Sequence, residues 1–109
     1  MADVDVLTAL ADPTRRRIVE MLAQRELSAG EIAGRFEVSA PAISQHLKVL
    51  RDAQLVRVRA EAQRRIYELD PDGLAALEQW LGHVRQSWRR RLGSSERRLI
   101  KRAREDEGT

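Results

Sequence analysis

The sequence predicts a mainly α-helical domain with one small β-hairpin, and three observations carry that prediction. Each of the three prolines stands one or two positions after an oxygen-bearing side chain: Pro13 after Asp12, Pro41 after Ser39 and Pro71 after Asp70. Asp and Ser cap the first unpaired N–H groups of a helix, and proline in the first turn sacrifices no hydrogen bond, so helices begin near 12, 39 and 70. Ser28-Ala29-Gly30-Glu31 fits a reciprocal cap, in which Ser28 closes the helix start and Glu31 reaches back. Finally, Val56-Arg57-Val58-Arg59 and Arg65-Ile66-Tyr67-Glu68-Leu69 alternate apolar and polar residues, the period of a strand with one buried face.

From these starts, apolar periodicity predicts helices over 4–11, 13–24, 29–36, 40–53 and 71–91. The two strands are joined by the short polar stretch Ala60–Arg64, a loose turn without Asn-Gly or Asp-Gly. Gly93-Ser94-Ser95 is expected to break the last helix. This divides the chain into a domain over 1–92 and a basic extension over 93–109, with a frayed acidic end from Glu105. Ile18, Val19, Leu22, Leu27, Ile32, Phe36, Val38, Ile43, Leu47, Leu50, Leu55 and Ile66 are the expected core. A short helix, a three-residue turn, a second helix and a two-stranded wing, in that order, describe a winged helix-turn-helix.

Composition narrows the function classes. At 109 residues the chain suits one small domain; 34% charged and 42% hydrophobic residues speak against disorder. Zero cysteines exclude disulfides and thiolate metal sites. No apolar run approaches a membrane span, and the acidic start Met1-Ala2-Asp3-Val4-Asp5 is unlike a secretory leader, so a cytoplasmic protein is expected. Two histidines far apart, His46 and His83, and no glycine-rich phosphate loop give no catalytic constellation. The net charge of +3 is unevenly spread: residues 1–84 carry −2 and residues 85–109 carry +5. A basic tail suits nucleic acid or an acidic partner, or serves solubility alone.

The helix over 40–53 places Ile43, Leu47 and Leu50 on one stripe and Pro41, Ser44, Gln45 and Lys48 opposite, with Ala40 and Arg51 on a flank and Ser39 as the cap. A short, hydrogen-bonding face on the N-terminal half of a helix is what a major groove admits; Ser and Gln address base edges, whereas a row of arginines would hold phosphate indiscriminately. His46 lies between the two faces, and both a base contact and a scaffold hydrogen bond stay open for it. In the wing, Arg57, Arg59, Arg64 and Arg65, with only Glu61 between them in sequence, suggest a phosphate or minor-groove clamp.

These segments resemble the ArsR/SmtB-type winged-helix repressors. The resemblance is carried by Leu10-Ala11-Asp12-Pro13-Thr14-Arg15-Arg16-Arg17-Ile18-Val19, by Leu27-Ser28-Ala29-Gly30-Glu31-Ile32-Ala33, and by the run from Val38 to Leu50. It continues through Ala53-Gln54-Leu55-Val56 and Tyr67-Glu68-Leu69, and covers about residues 7–92. It implies a homodimeric bacterial repressor that binds operator DNA and is often released by an effector, with base-reading positions at Ala40, Pro41, Ser44 and Gln45. The sequence names no small-molecule effector. The chain also departs from the family: Glu37 and Gln54 stand where many members have glycine, and a non-glycine in the left-handed conformation costs of order 1 kcal/mol. The family's metal-sensing cysteines are missing, and the last helix offers only His83 where a zinc-type site needs an Asp and His cluster, so no metal or other cofactor is expected. Asp70 and Asp72 read as capping residues.

The last helix carries Leu74, Leu77, Leu81, Val84 and Trp88 at alternating three- and four-residue spacings, with Trp80 beside them, and the first helix adds Val4, Leu7 and Leu10. This apolar surface exceeds what so small a core absorbs and predicts a homodimer. Two recognition helices in such a dimer would read an inverted repeat. The expectation is thus a sequence-specific regulator, most readily a repressor. An architectural DNA-binding protein with weak sequence preference is the alternative, set apart by a steep salt dependence.

Overall fold

The structure, a computed structural model, describes residues 5–107, with side chains over 5–93. The element order is α1 (Val6–Ala9), α2 (Pro13–Gln24), β1 (Leu27–Ser28), α3 (Ala29–Ala33), α4 (Ala40–Asp52), β2 (Val56–Glu61), β3 (Arg64–Leu69) and α5 (Pro71–Glu107). The chain divides into two units, residues 1–77 and 78–109.

The predicted helix starts are built from the predicted groups. Asp12 accepts from the N–H of Thr14 and Arg15 at the head of α2. Ser28 and Glu31 complete their reciprocal cap at 3.1 and 3.0 Å. Ser39 accepts from the Ala42 N–H at 3.3 Å. At α5 the cap is Asp70, whose carboxylate accepts from the Asp72 N–H. Asp72 lies inside the first turn. Asp5, which the sequence reading did not single out, caps α1.

Several elements differ from expectation. α1 closes at Ala9 with Leu10 as its C-cap rather than running to residue 11. α3 is shorter than predicted because Gly34 ends it, and the chain continues through i to i−3 hydrogen bonds at Arg35 and Phe36. β1 was not anticipated; it pairs antiparallel with β3 (Leu27 opposite Tyr67, Ser28 opposite Ile66) and makes a three-stranded sheet in the order β1-β3-β2. α5 runs through Gly93-Ser94-Ser95, so the predicted boundary at residue 93 is not a helix end. One glycine costs a helix only about 1 kcal/mol, and the Arg, Leu, Glu and Lys around it are good helix formers.

The core of the first unit is the set Ala9, Ile18, Leu22, Leu27, Ile32, Ile43, Leu47, Leu50, Ala53, Leu55, Val56 and Tyr67. Val19 and Phe36 pack on its edge. Val38, expected inside, is 44% exposed, because the turn before α4 directs it outward. Ile66 is buried, but on the sheet face shared with Arg59, outside that core. The C-terminal end of α4 is a Schellman motif: the Leu55 N–H donates to the Leu50 carbonyl at 3.0 Å and the Gln54 N–H to Arg51 at 2.9 Å. Gln54 takes the left-handed conformation this demands, with φ 61°, while Glu37 does not. The β2–β3 turn is a two-residue loop with φ 56° at Ala62. Among the described residues no helix is long and apolar enough to cross a membrane.

Candidate nucleic-acid interface

α4 is pinned to the scaffold along one side and open along the other. Ile43, Leu47 and Leu50 are buried, which rolls Ser39, Ala40, Pro41, Ser44, Gln45, Lys48 and Arg51 to the surface. All seven are exposed and form one continuous strip. Its first turn is uncharged, and cations enter only at Lys48 and Arg51. Base-edge donors and acceptors at the tip, with phosphate-seeking charge behind them, suit a helix entered end-first into a groove.

His46 belongs to the scaffold side. Its Nδ1 lies 3.4 Å from an Arg15 guanidinium nitrogen and 3.9 Å from an Asp12 carboxylate oxygen. Arg15 also donates to the carbonyls of Ala9 at 2.6 Å and Thr8 at 3.3 Å. One arginine therefore joins the end of α1, the head of α2 and the middle of α4. Of the two roles left open for His46, the geometry matches the scaffold hydrogen bond.

The four wing arginines are all exposed, and three of them are paired with acids. Arg57 pairs with Glu68 at 3.0 Å. Arg59 pairs with both oxygens of Glu26, at 2.7 and 2.8 Å, and also reaches Glu61 at 3.2 Å and Glu68 at 3.5 Å. Arg64 pairs with Glu31 at 3.0 Å, and Glu31 holds Arg25 as well. Glu61 was the only acid visible between these arginines in sequence. Folding brings Glu68 across the hairpin and Glu26 and Glu31 from the β1–α3 segment. No ion pair to Arg65 is found among the described residues; it lies on the opposite face of the hairpin, in register with Ala60. The pairing is reflected in acidity: hydrogen bonds from Arg59 hold the Glu26 carboxyl below its ordinary value, and those from Ser28 do the same for Glu31.

The expected pairing surface is divided. Leu10 and Leu74 are half-buried against the core of the first unit, and Leu77 is half-buried as well. Leu7 on α1 is exposed. In the second unit Trp80, Leu81, Val84, Trp88 and Leu92 all remain 41–53% exposed. A shallow groove of about 440 Å³ runs along His83, Val84, Ser87, Trp88 and Arg91, with the Arg91 guanidinium over the Trp88 ring. Val4 lies outside the described residues. No group of three or more potential metal ligands is assembled among the described residues.

Comparison with known proteins agrees with this geometry. Residues 12–58 match the family described as "Bacterial regulatory protein, arsR family". The chain is 61% identical over 69 residues to the HTH-type transcriptional regulator Rv2034 of Mycobacterium tuberculosis, a match spanning 63% of this chain and 64% of that protein's length. It is 35% identical over 77 residues to the transcriptional repressor SdpR of Bacillus subtilis, covering 71% of this chain and 86% of the relative. Among solved structures, one titled as a possible transcriptional regulator for arsenical resistance superposes with a TM-score of 0.68 at 44% identity, over 73% of this chain and 83% of the other. An ArsR family regulator, RHA00566, gives 0.69 at 28% identity, over 76% and 86%. These relatives are transcriptional regulators rather than enzymes.

Proposed function

This chain belongs to the ArsR family of bacterial regulatory proteins, DNA-binding winged helix-turn-helix regulators, and on that premise we propose that it is a homodimeric, sequence-specific repressor. The observation that carries the reading is the exposed strip on α4, where Ser44 and Gln45 stand opposite the buried Ile43, Leu47 and Leu50. Inserted in a major groove, Gln45 addresses an adenine edge through its amide, Ser44 either partner of a pair, and Ala40 and Pro41 a thymine methyl. Lys48 and Arg51 take flanking phosphates and fix the register. The second copy docks on the apolar side chains that α5 leaves exposed: Trp80, Leu81, Val84 and Trp88. A two-fold axis then sets two α4 helices about one DNA turn apart, on an inverted repeat with half-site centres about 10 bp apart. Occupying such a site in a promoter excludes polymerase and represses. The work is done in the cytoplasm, where the DNA is.

Selection of duplexes from a randomised pool at about 150 mM salt tests this, since electrostatic binding is weakened there. Convergence on an inverted repeat is the expected result. A pool that stays random after repeated rounds contradicts site-specific recognition and favours the architectural alternative.

A further inference from the structure

The wing carries four arginines, residues suited to holding phosphate, yet three of the four are held by glutamates. The tightest of these pairs is Arg59 with Glu26, two parallel N–H to O bonds of 2.7 and 2.8 Å in the fork geometry a guanidinium also uses on phosphate. Glu26 immediately precedes β1, on the scaffold, 33 positions from Arg59, so the pair ties the wing back to the body of the domain. Arg59's other contacts, to Glu61 and Glu68, are single and longer, at 3.2 and 3.5 Å. Arg57 and Arg64 have their own acids, Glu68 and Glu31. Arg25, Arg57, Arg59 and Arg64 thus face Glu26, Glu31, Glu61 and Glu68, a set without net charge.

We propose that Glu26 is a specificity-determining residue: it occupies the phosphate-binding fork of Arg59 and so withholds that arginine from DNA of any sequence. Phosphate contacts raise affinity for all duplexes alike, whereas the α4 strip discriminates among them. A wing arginine satisfied internally gains little by exchanging carboxylate for phosphate. The balance between specific and non-specific binding is then set by Ser44 and Gln45 rather than by Arg59. Arg65, for which no such acid is found among the described residues, stays available for the backbone.

The inference rests on the DNA-binding reading above, and its test separates the two. Affinity of the full chain for a scrambled duplex and for a selected site is measured by fluorescence anisotropy between 50 and 200 mM salt (roughly the range over which counterion release is read). Wild type, Glu26→Gln, Arg59→Gln and the double variant are compared, with melting temperature as the control for folding. Release of Arg59 in Glu26→Gln adds one phosphate contact, so the slope of log K against log salt steepens by about 0.9. Scrambled DNA then binds several-fold tighter at low salt and the specific-to-scrambled ratio falls. Arg59→Gln alone leaves the wild-type slope, and the double variant returns to it. A Glu26→Gln slope equal to wild type overturns the proposal. So does a steeper slope that persists in the double variant, which would mean that deleting a negative charge, not freeing Arg59, is the cause. Failure of wild type to prefer any site would instead overturn the DNA-reading proposal, and the slopes on scrambled DNA still decide the role of Glu26.

Discussion

Gly73 of α5 lies against the backbone of Gln54 with no room for a side chain. A Cβ at this position would fall 2.6 Å from the Gln54 carbonyl carbon and 2.9 Å from the Leu55 nitrogen, and closer still to the Gln54 carbonyl oxygen. The obstacle is backbone, which cannot swing away, and it is the Schellman turn that ends α4. The same junction is closed by the Asp70 N–H donating to the Leu55 carbonyl at 2.9 Å. The end of α4 and the start of α5 are therefore fitted to one another through a glycine.

Replacing Gly73 with alanine forces that junction apart. Overpacking typically costs 1–3 kcal/mol, and we expect a loss of about 3 kcal/mol, since the contact is with main chain. Urea denaturation of the full chain measures it; a loss below about 0.5 kcal/mol would mean that the first turn of α5 shifts freely.

Gln54 and Ala62 make the opposite prediction. Both hold positive φ without being glycine, at 61° and 56°. A left-handed non-glycine residue costs roughly 1–2 kcal/mol, partly offset by the greater entropy glycine has in the unfolded chain. Gln54→Gly and Ala62→Gly should each stabilise by about 0.5–1 kcal/mol and add when combined, the two turns being at separate sites. Denaturation midpoints check the additivity.

Stability should fall in acid, and Glu31 should be one source. Its carboxyl, with its pKa lowered in the folded state from 4.5, accepts from Ser28 and pairs with Arg64 and Arg25. A depressed folded pKa gives stabilisation that is complete well above the unfolded value and is lost as pH falls through the folded one. Urea midpoints of wild type should therefore drop between about pH 5 and pH 3. Glu31→Gln, which keeps an acceptor but no titrating group, should be less stable at pH 7 and show a shallower drop.

A charge on the exposed face of α5 should separate the protomers. Trp88 is 53% exposed in the single chain, and the proposed homodimer would cover it with the second copy. Trp88→Glu is expected to shift the mass in sedimentation from dimer to monomer without lowering helix content. It should also weaken binding to a two-half-site duplex by at least tenfold, since the avidity of two linked reading helices is lost. A dimer that survives this substitution would place the interface elsewhere.

What could be read from the sequence was what is encoded locally. The starts of α2, α3, α4 and α5 follow from Asp12, Ser28, Ser39 and Asp70, each capping within three residues. The exposed strip of α4 follows from helical period alone. What escaped depends on partners distant in sequence. Leu27-Ser28 is a strand only because β3 pairs with it, and two residues carry no period. Val38 is apolar yet exposed, since its turn and not its hydropathy decides its direction. The ion pairs of the wing are hidden for the same reason: Glu26 is 33 positions from Arg59, and Glu31 is 33 from Arg64. Leu10 and Leu74 pack partly on their own core, and sequence does not distinguish an apolar residue so covered from one wholly awaiting a partner.

The central claim is that Ser44 and Gln45 read sequence while the rest of the domain positions them. The most direct measurement is the affinity of the Ser44→Ala, Gln45→Ala double variant for a selected duplex and for its scrambled counterpart at about 150 mM salt. Wild type should prefer the selected site by roughly a thousandfold. The variant should bind both duplexes equally, with melting temperature and dimer mass unchanged, because both side chains are exposed and touch no core residue's burial. Full preference retained by a folded, dimeric variant would contradict the account and move sequence reading off this face of α4.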